Sequence, residues 1–274
     1  MLSPDALRVL NALGVYEKIR DKGYNFEILE FKNDQGQTTE RYWFGEEKEY
    51  GYKALRVHRQ VIIDELLTLL QGHGVQVKYD TKFSHVLSES PDSVTFAFAD
   101  GTTRSASLLI GADGIHSTVR RYIYPDLQPK FSGFFAVSST IPASKIRRPD
   151  NYYLPATMLS KAGAFVLVPQ NSDGSDLLVG TQRPYPEQTR EGWDKLVRDK
   201  DELLAFLQKG KELWPDVVQS AIEAIAEDKQ QCTIWPFYGV PKLDRWISEA
   251  GKVVILGDAA HVIPPTAGQS VNQA

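Results

Sequence analysis

Cysteine occurs once in the 274 residues, at Cys232. A lone thiol excludes an internal disulfide framework and a cysteine-cluster zinc site, and it fits a reducing, cytoplasmic compartment. Long apolar runs are missing as well. Stretches such as Val253 to Leu256 are strand-sized, far short of the roughly 18 residues that a membrane-spanning helix needs. Neither sign of charge is in excess: 31 Lys+Arg against 35 Asp+Glu give a net charge of -4 and no electrostatic footprint for nucleic acid or an acidic membrane. His58, His73, His85 and His116 show no metal-ligand spacing with carboxylates, which argues against a zinc or iron centre. His261 reads as a packing residue at a turn. No GxSxG elbow is present, so hydrolase chemistry is disfavoured. The amino terminus, MLSPDALRVLNALG, has no basic n-region followed by an apolar h-region and is read as lacking a secretory signal. Repeats and low-complexity tracts are absent.

What remains is an ordinary globular composition, 42% hydrophobic, in a chain long enough for one large or two interleaved domains; two are expected. Ser3-Pro4-Asp5 supplies an N-cap, an N1 proline and a first-turn acid, and Leu7, Leu10 and Leu13 follow at helical spacing until Gly14. Extended segments are expected at Asn25 to Lys32 and Thr38 to Phe44, joined by a hairpin turn at Asn33-Asp34-Gln35-Gly36. Val61, Ile62, Leu66, Leu69 and Leu70 mark a second helix from Arg59, ended by Gly72 and Gly74. Short strands are read at Val75–Tyr79, Phe83–Ser88, Val94–Phe98 and Leu108–Ile110. Alternating aromatic and aliphatic residues over Phe131 to Thr181 suggest antiparallel strands, expected to share a sheet with Thr38–Phe44. Helices are expected at Trp193–Leu207 and Asp216–Ile225. Val253 to Leu256 reads as a strand buried on both faces of a parallel sheet.

Two segments share one form, an apolar strand running into Gly and Asp and then a helix start. Leu108-Leu109-Ile110 leads to Gly111-Ala112-Asp113-Gly114, with Ser117 as a cap before Val119-Arg120; Val253 to Leu256 leads to Gly257-Asp258-Ala259-Ala260-His261, Pro264-Pro265 and Gly268-Gln269-Ser270. A carboxylate at the carboxyl end of a parallel strand faces the crevice where such sheets bind ligands, and it accepts hydrogen bonds from sugar or ribityl hydroxyls. Neighbouring glycines let backbone approach the ligand, and a helix start directs free N–H groups at an electron-rich edge.

Together, GADGIHSTVR and GDAAHVIPPTAGQSVN resemble the paired motifs of the FAD-dependent group A monooxygenases, the aromatic hydroxylases related to para-hydroxybenzoate and salicylate hydroxylases. LSPDALRVLNALGVYEKI and RVHRQVIIDELL resemble two helices of the same family, so the likeness spans the chain. The resemblance implies an α/β fold, with an incomplete Rossmann-like FAD-binding region and an inserted antiparallel β-sheet substrate region. Residues 1–24, 54–130 and 231–274 would form the former, and 25–53 and 131–230 the latter. It further implies that Asp258, beside Gly257, holds the ribityl chain of FAD. Gly268, Gln269, Val271 and Asn272 would lie along the pyrimidine edge of the flavin, and Pro264 and Pro265 near its reactive carbon. Asp113 would lie near the pyrophosphate and the nicotinamide path, and Arg59 would pair with ribose and phosphates; the competing reading of Arg59 is a solvated helix-start cation. Arg120 is either a further site cation or a structural ion-pair partner. Phe135, Tyr153, Phe165, Trp235, Phe237 and Tyr238 are candidates for the substrate pocket.

The implied activity is hydroxylation or epoxidation of an aromatic or olefinic small molecule with NAD(P)H and dioxygen. Family members also carry a GxGxxG turn, whereas the GxG here, Gly72-His73-Gly74, has Val77 at the third glycine position. Both ends are therefore expected to be cut relative to the family, which keeps open the alternative of a non-catalytic truncated remnant with weak or no FAD binding. Several relatives place an Arg after the first strand of the substrate region, where FSGFFAVSST offers Ser138 and Ser139.

Overall fold

A computed structural model describes residues 1–262. In chain order its principal elements begin with α1 (Pro4–Ala12), α2 (Tyr16–Ile19), β1 (Tyr24–Phe26), β2 (Ile28–Lys32), β3 (Thr38–Trp43), α3 (Glu47–Tyr50), β4 (Ala54–Arg56) and α4 (Arg59–Gly72). There follow β5 (Phe83–Glu89), β6 (Val94–Phe98), β7 (Thr103–Ala106), β8 (Leu109–Gly111), α5 (Thr118–Ile123) and β9 (Lys130–Pro142). The remainder comprises β10 (Ala156–Ser160), β11 (Gly163–Pro169), β12 (Asp176–Pro184), α6 (Arg190–Arg198), α7 (Lys200–Gln208), α8 (Asp216–Glu227), β13 (Thr233–Gly239) and β14 (Val253–Ile255). Among the described residues no helix is long and apolar enough to cross a membrane.

Two compact units emerge, one from Met1–Leu69 and Gly133–Pro236, the other from Leu70–Ser132 and the segment from Phe237 onward. These boundaries differ from the functional partition expected above, because residues 1–24 and 54–69 group with the large sheet. The physical reason is a shared apolar cluster in which Leu7, Leu10 and Ile19 meet Leu55, with Val61, Ile62 and Leu66 of α4 packed against it.

The first unit is dominated by a seven-stranded sheet in the order β13-β9-β12-β11-β10-β2-β3. Thr38–Trp43 and the strands of 131–181 do share it, although β2 joins β10 in parallel. The hairpin turn forms as expected: Asn33 Oδ1 accepts the amides of Gln35 and Gln37 at 3.0 and 2.9 Å, and Gly36 takes φ +75°. Register divides the central strands into two faces. Phe135, Val137 and Ser139 oppose Arg183, Thr181 and Val179, and this set is buried. Side chains of α6, α7 and the segment before α8 cover it, with Phe206 4.7 Å and Trp193 5.9 Å from Phe135 between ring centroids, and Trp214 5.9 Å from Phe165. Arg183 Nη1 donates to the carbonyls of Phe206 and Lys209 at 3.1 and 2.7 Å, completing the carboxyl end of α7.

The helix expected over Trp193–Leu207 is two helices. Asp199 leaves helical geometry at ψ 82° and its side chain accepts the Glu202 amide at 3.0 Å, so an acid that reads as helix interior starts a new helix. In the second unit β5, β6 and β7 form an antiparallel sheet and β8 pairs in parallel with β14. Val253 and Ile255 are buried and Val254 is half-buried, with Val253 and Ile255 joining Val94, Val119 and Ile123 in one core. Val75–Tyr79, expected as a strand, is not one: Val75, Val77 and Tyr79 are 50%, 42% and 68% exposed, and the segment joins no ladder among the described residues. Alternation alone does not make a strand without a neighbour to pair with.

Candidate functional site

The two Gly–Asp segments meet in the second unit. Parallel pairing sets Leu109 against Val253, Ile110 against Val254 and Gly111 against Ile255, so both strands deliver their turns at the same end. A parallel pair has this consequence wherever it occurs: the carboxyl ends of its strands open toward one crevice. Gly111 allows the close packing of this corner, since a Cβ there would lie 2.6 Å from Val119 Cβ and 3.2 Å from Ile255 Cγ2.

The two aspartates behave differently. The Asp113 carboxylate accepts the Ser117 hydroxyl and the amides of Thr118 and Val119, the latter two at 2.7 and 3.1 Å, and so caps α5. Ser117 caps the same helix through the Arg120 amide at 2.8 Å, as its position suggested. Asp258 is exposed and its carboxylate has no hydrogen-bond partner among the described residues. It follows Gly257, whose φ of +57° is a left-handed conformation that favours glycine. An exposed carboxylate beside a glycine turn suits the hydroxyls of a ribityl or ribose chain, so this end of the unit fits FAD.

Among the described residues Arg120 forms no salt bridge. It is 1% exposed, and among the described residues its guanidinium donates to main-chain oxygens: Nη1 to Ala259 at 2.9 Å and to Asp258 at 3.4 Å, and Nη2 to Ile115. Burial holds it below the usual arginine range, with Asp113 acting in the opposite sense. It ties the first turn to the second. Sequence offers a signal for this only in hindsight, as an Arg in the helix whose flanking Val119 and Ile123 are core residues.

Arg59 opens α4 in the other unit and is exposed. Three residues earlier Arg56, which sequence reading passed over, donates to Gln170 Oε1 at 2.6 and 3.1 Å, and burial lowers its guanidinium to about 10. Pro264, Pro265, Gly268, Gln269, Val271 and Asn272 lie outside the described residues. Three of the aromatic pocket candidates belong to the core instead: Phe135 and Phe165 are 0% exposed on the helix-covered face and Phe237 is 4% exposed. Phe135 lines a cavity of about 260 Å³ with Tyr185, Leu203 and Phe206, between sheet and helices. Tyr153 and Trp235 are exposed, at 37% and 55%.

Comparison with known proteins agrees with this geometry. The family model described as FAD binding domain matches residues 1–274. A 3-amino-4-hydroxybenzoate 2-monooxygenase of Streptomyces cremeus is 30% identical over all of this chain, which spans 65% of its length. Salicylate hydroxylase of Pseudomonas putida is 25% identical over 98% of the chain and 64% of its own length. In fold, CtdE bound to FAD and a substrate superposes with a TM-score of 0.77 at 19% identity, covering 99% of this chain and 67% of that one. HpxO of Klebsiella pneumoniae with FAD and uric acid gives 0.76 at 21%, covering 98% and 66%. The chain belongs to the FAD binding domain family, whose model matches it from end to end.

Proposed function

We propose that this chain contributes the flavin and substrate regions of an FAD-dependent monooxygenase that uses NAD(P)H and dioxygen to hydroxylate or epoxidise an aromatic or olefinic small molecule. The observation that carries the reading is the parallel pairing of β8 with β14, which sets both Gly–Asp turns at one end. In this reading residues 1–24, 54–130 and 231–274 serve FAD, and 25–53 and 131–230 serve the substrate. Asp258 and Gly257 hold the ribityl chain, Arg59 the ribose and phosphates, and the Asp113 turn lies toward the pyrophosphate. Pro264, Pro265, Gly268, Gln269, Val271 and Asn272 are assigned to the flavin ring. When bound, FAD supplies the redox chemistry and the activation of oxygen. The protein supplies orientation, an anion-tolerant turn and a surface from which water is excluded. The cytoplasm is the proposed compartment, supported by the single buried Cys232 and by the use of NAD(P)H.

The test is to load the protein with FAD and follow NADPH oxidation and product formation with a panel of phenols and olefins. Substrate-stimulated oxidation coupled to oxygenated product is expected. Stoichiometric flavin with no coupled product from any member would overturn the reading.

A further inference from the structure

The seven-stranded sheet places its buried charges on one face. Its helix-covered face holds Glu30 and Lys32, 4% and 6% exposed and paired at 2.6 Å, together with buried Arg183. On the opposite face the register aligns Ala136, Gln182, Ala164 and Leu159 in one row and Ser138, Gly180, Val166 and Thr157 in the next. Thr140, Leu178 and Val168 make a third row. None of these central positions is ionisable; at the margins the same register puts Glu40, opposite Phe31, and Asp176, opposite Pro142, on this face, and both are acids.

The centre of this face is a floor of small side chains. A Cβ at Gly180 would lie 2.3 Å from the Val137 carbonyl oxygen and 2.8 Å from Ser138 Cβ, so the floor has no room for a larger residue there. Ser138 and Gln182 flank it. Both are half-buried, and neither side chain has a hydrogen-bond partner among the described residues. A hydroxyl and an amide without partners among the described residues, beside an apolar floor, match a planar ring that carries its own hydroxyl groups. They do not match a ring carboxylate, because an anion moved onto this floor loses water and gains no cation.

We propose that this face selects uncharged hydroxylated aromatic rings over ring carboxylates, with Ser138 and Gln182 as the polar contacts that set the preference. The inference rests on the reading above, in which this sheet is the substrate surface.

The experiment uses the FAD-loaded protein and a matched pair, catechol and salicylate, which differ by a hydroxyl against a carboxylate. Dissociation constants are read from ligand-induced changes in the flavin spectrum at pH 7.5. Catechol should bind at least tenfold tighter than salicylate. Ser138→Arg should shift the ratio at least tenfold toward salicylate with unchanged FAD affinity. Gln182→Leu and Ser138→Ala, which keep the floor and guard against a misfolded arginine variant, should each weaken catechol several-fold. Tighter binding of salicylate by the unaltered protein, or a ratio that none of the three substitutions moves, overturns the selectivity while leaving the proposed function standing. A flavin spectrum that neither ligand perturbs overturns the substrate surface itself, and the selectivity with it.

Discussion

The guanidinium of Arg120 donates to the Ala259 carbonyl at 2.9 Å across 139 residues of sequence, joining the turn after β8 to the turn after β14. A hydrogen bond from a charged donor contributes about 1.5–3 kcal/mol, and its removal here leaves buried carbonyls unpaired. Arg120→Met should therefore destabilise the fold by about 2–4 kcal/mol, read as a lower urea midpoint with an unchanged slope. Arg120→Lys, with a single ammonium in place of the planar fork, should recover only part of the loss.

Asp258→Ala should act on ligand binding and not on folding. The carboxylate is exposed and has no partner among the described residues, so the flavin-free melting temperature should stay as it is. If Asp258 holds the ribityl chain, flavin affinity falls by about tenfold or more, an effect of roughly 1–3 kcal/mol, measured by fluorescence titration. Equal flavin affinity in the two proteins would remove Asp258 from the site.

Glu89 should govern part of the acid sensitivity. Burial alone would raise its carboxyl, but the Ser248 hydroxyl, the Lys252 amide at 2.7 Å and the Tyr122 hydroxyl at 3.0 Å outweigh this and hold it below the ordinary glutamate range. A group depressed in the folded state stabilises above its unfolded value and loses that contribution as pH falls through the folded one. The stability gap between the native protein and Glu89→Gln should thus be full at pH 7, shrink below about pH 4.3 and close in stronger acid. Denaturant midpoints across that range test it, and a gap that widens toward acid would contradict it.

Gly111→Ala should destabilise by about 1–3 kcal/mol, because the added Cβ would crowd Val119 at 2.6 Å in a packed corner. Gly114→Ala is an instructive contrast. Nothing lies within 4 Å of its Cβ, so its cost comes from φ +79° and not from crowding. Melting temperatures of both variants, with Val119→Ala added to the first, separate the two causes: only the Gly111 variant should gain from the smaller neighbour.

Sequence carried the local features well where one residue type decides a conformation. Asn33 with Gly36 specified the hairpin, Ser117 the start of α5, and Val253 to Ile255 a strand bounded by glycine. Facing was harder. Phe134 and Phe135 are adjacent aromatics, and a period of two sends one to 47% exposure and the other to 0%; nothing in FSGFFAVSST says which. Asp199 reads as a tolerable helix residue and becomes a cap only because α6 has to end there. At the candidate site the paired turns were legible from their residues. The Arg120 contacts were not, since their acceptors are carbonyl oxygens that every residue possesses.

That last property reaches beyond stability. A brace that grips main-chain oxygen does not register which side chains stand at 115, 258 and 259. The position of the second turn and its chemical content are thereby uncoupled. Residue 258 can be exchanged to change what the turn recognises without moving it, and engineering of this corner can treat Arg120 as the fixed frame and the turn side chains as replaceable fittings.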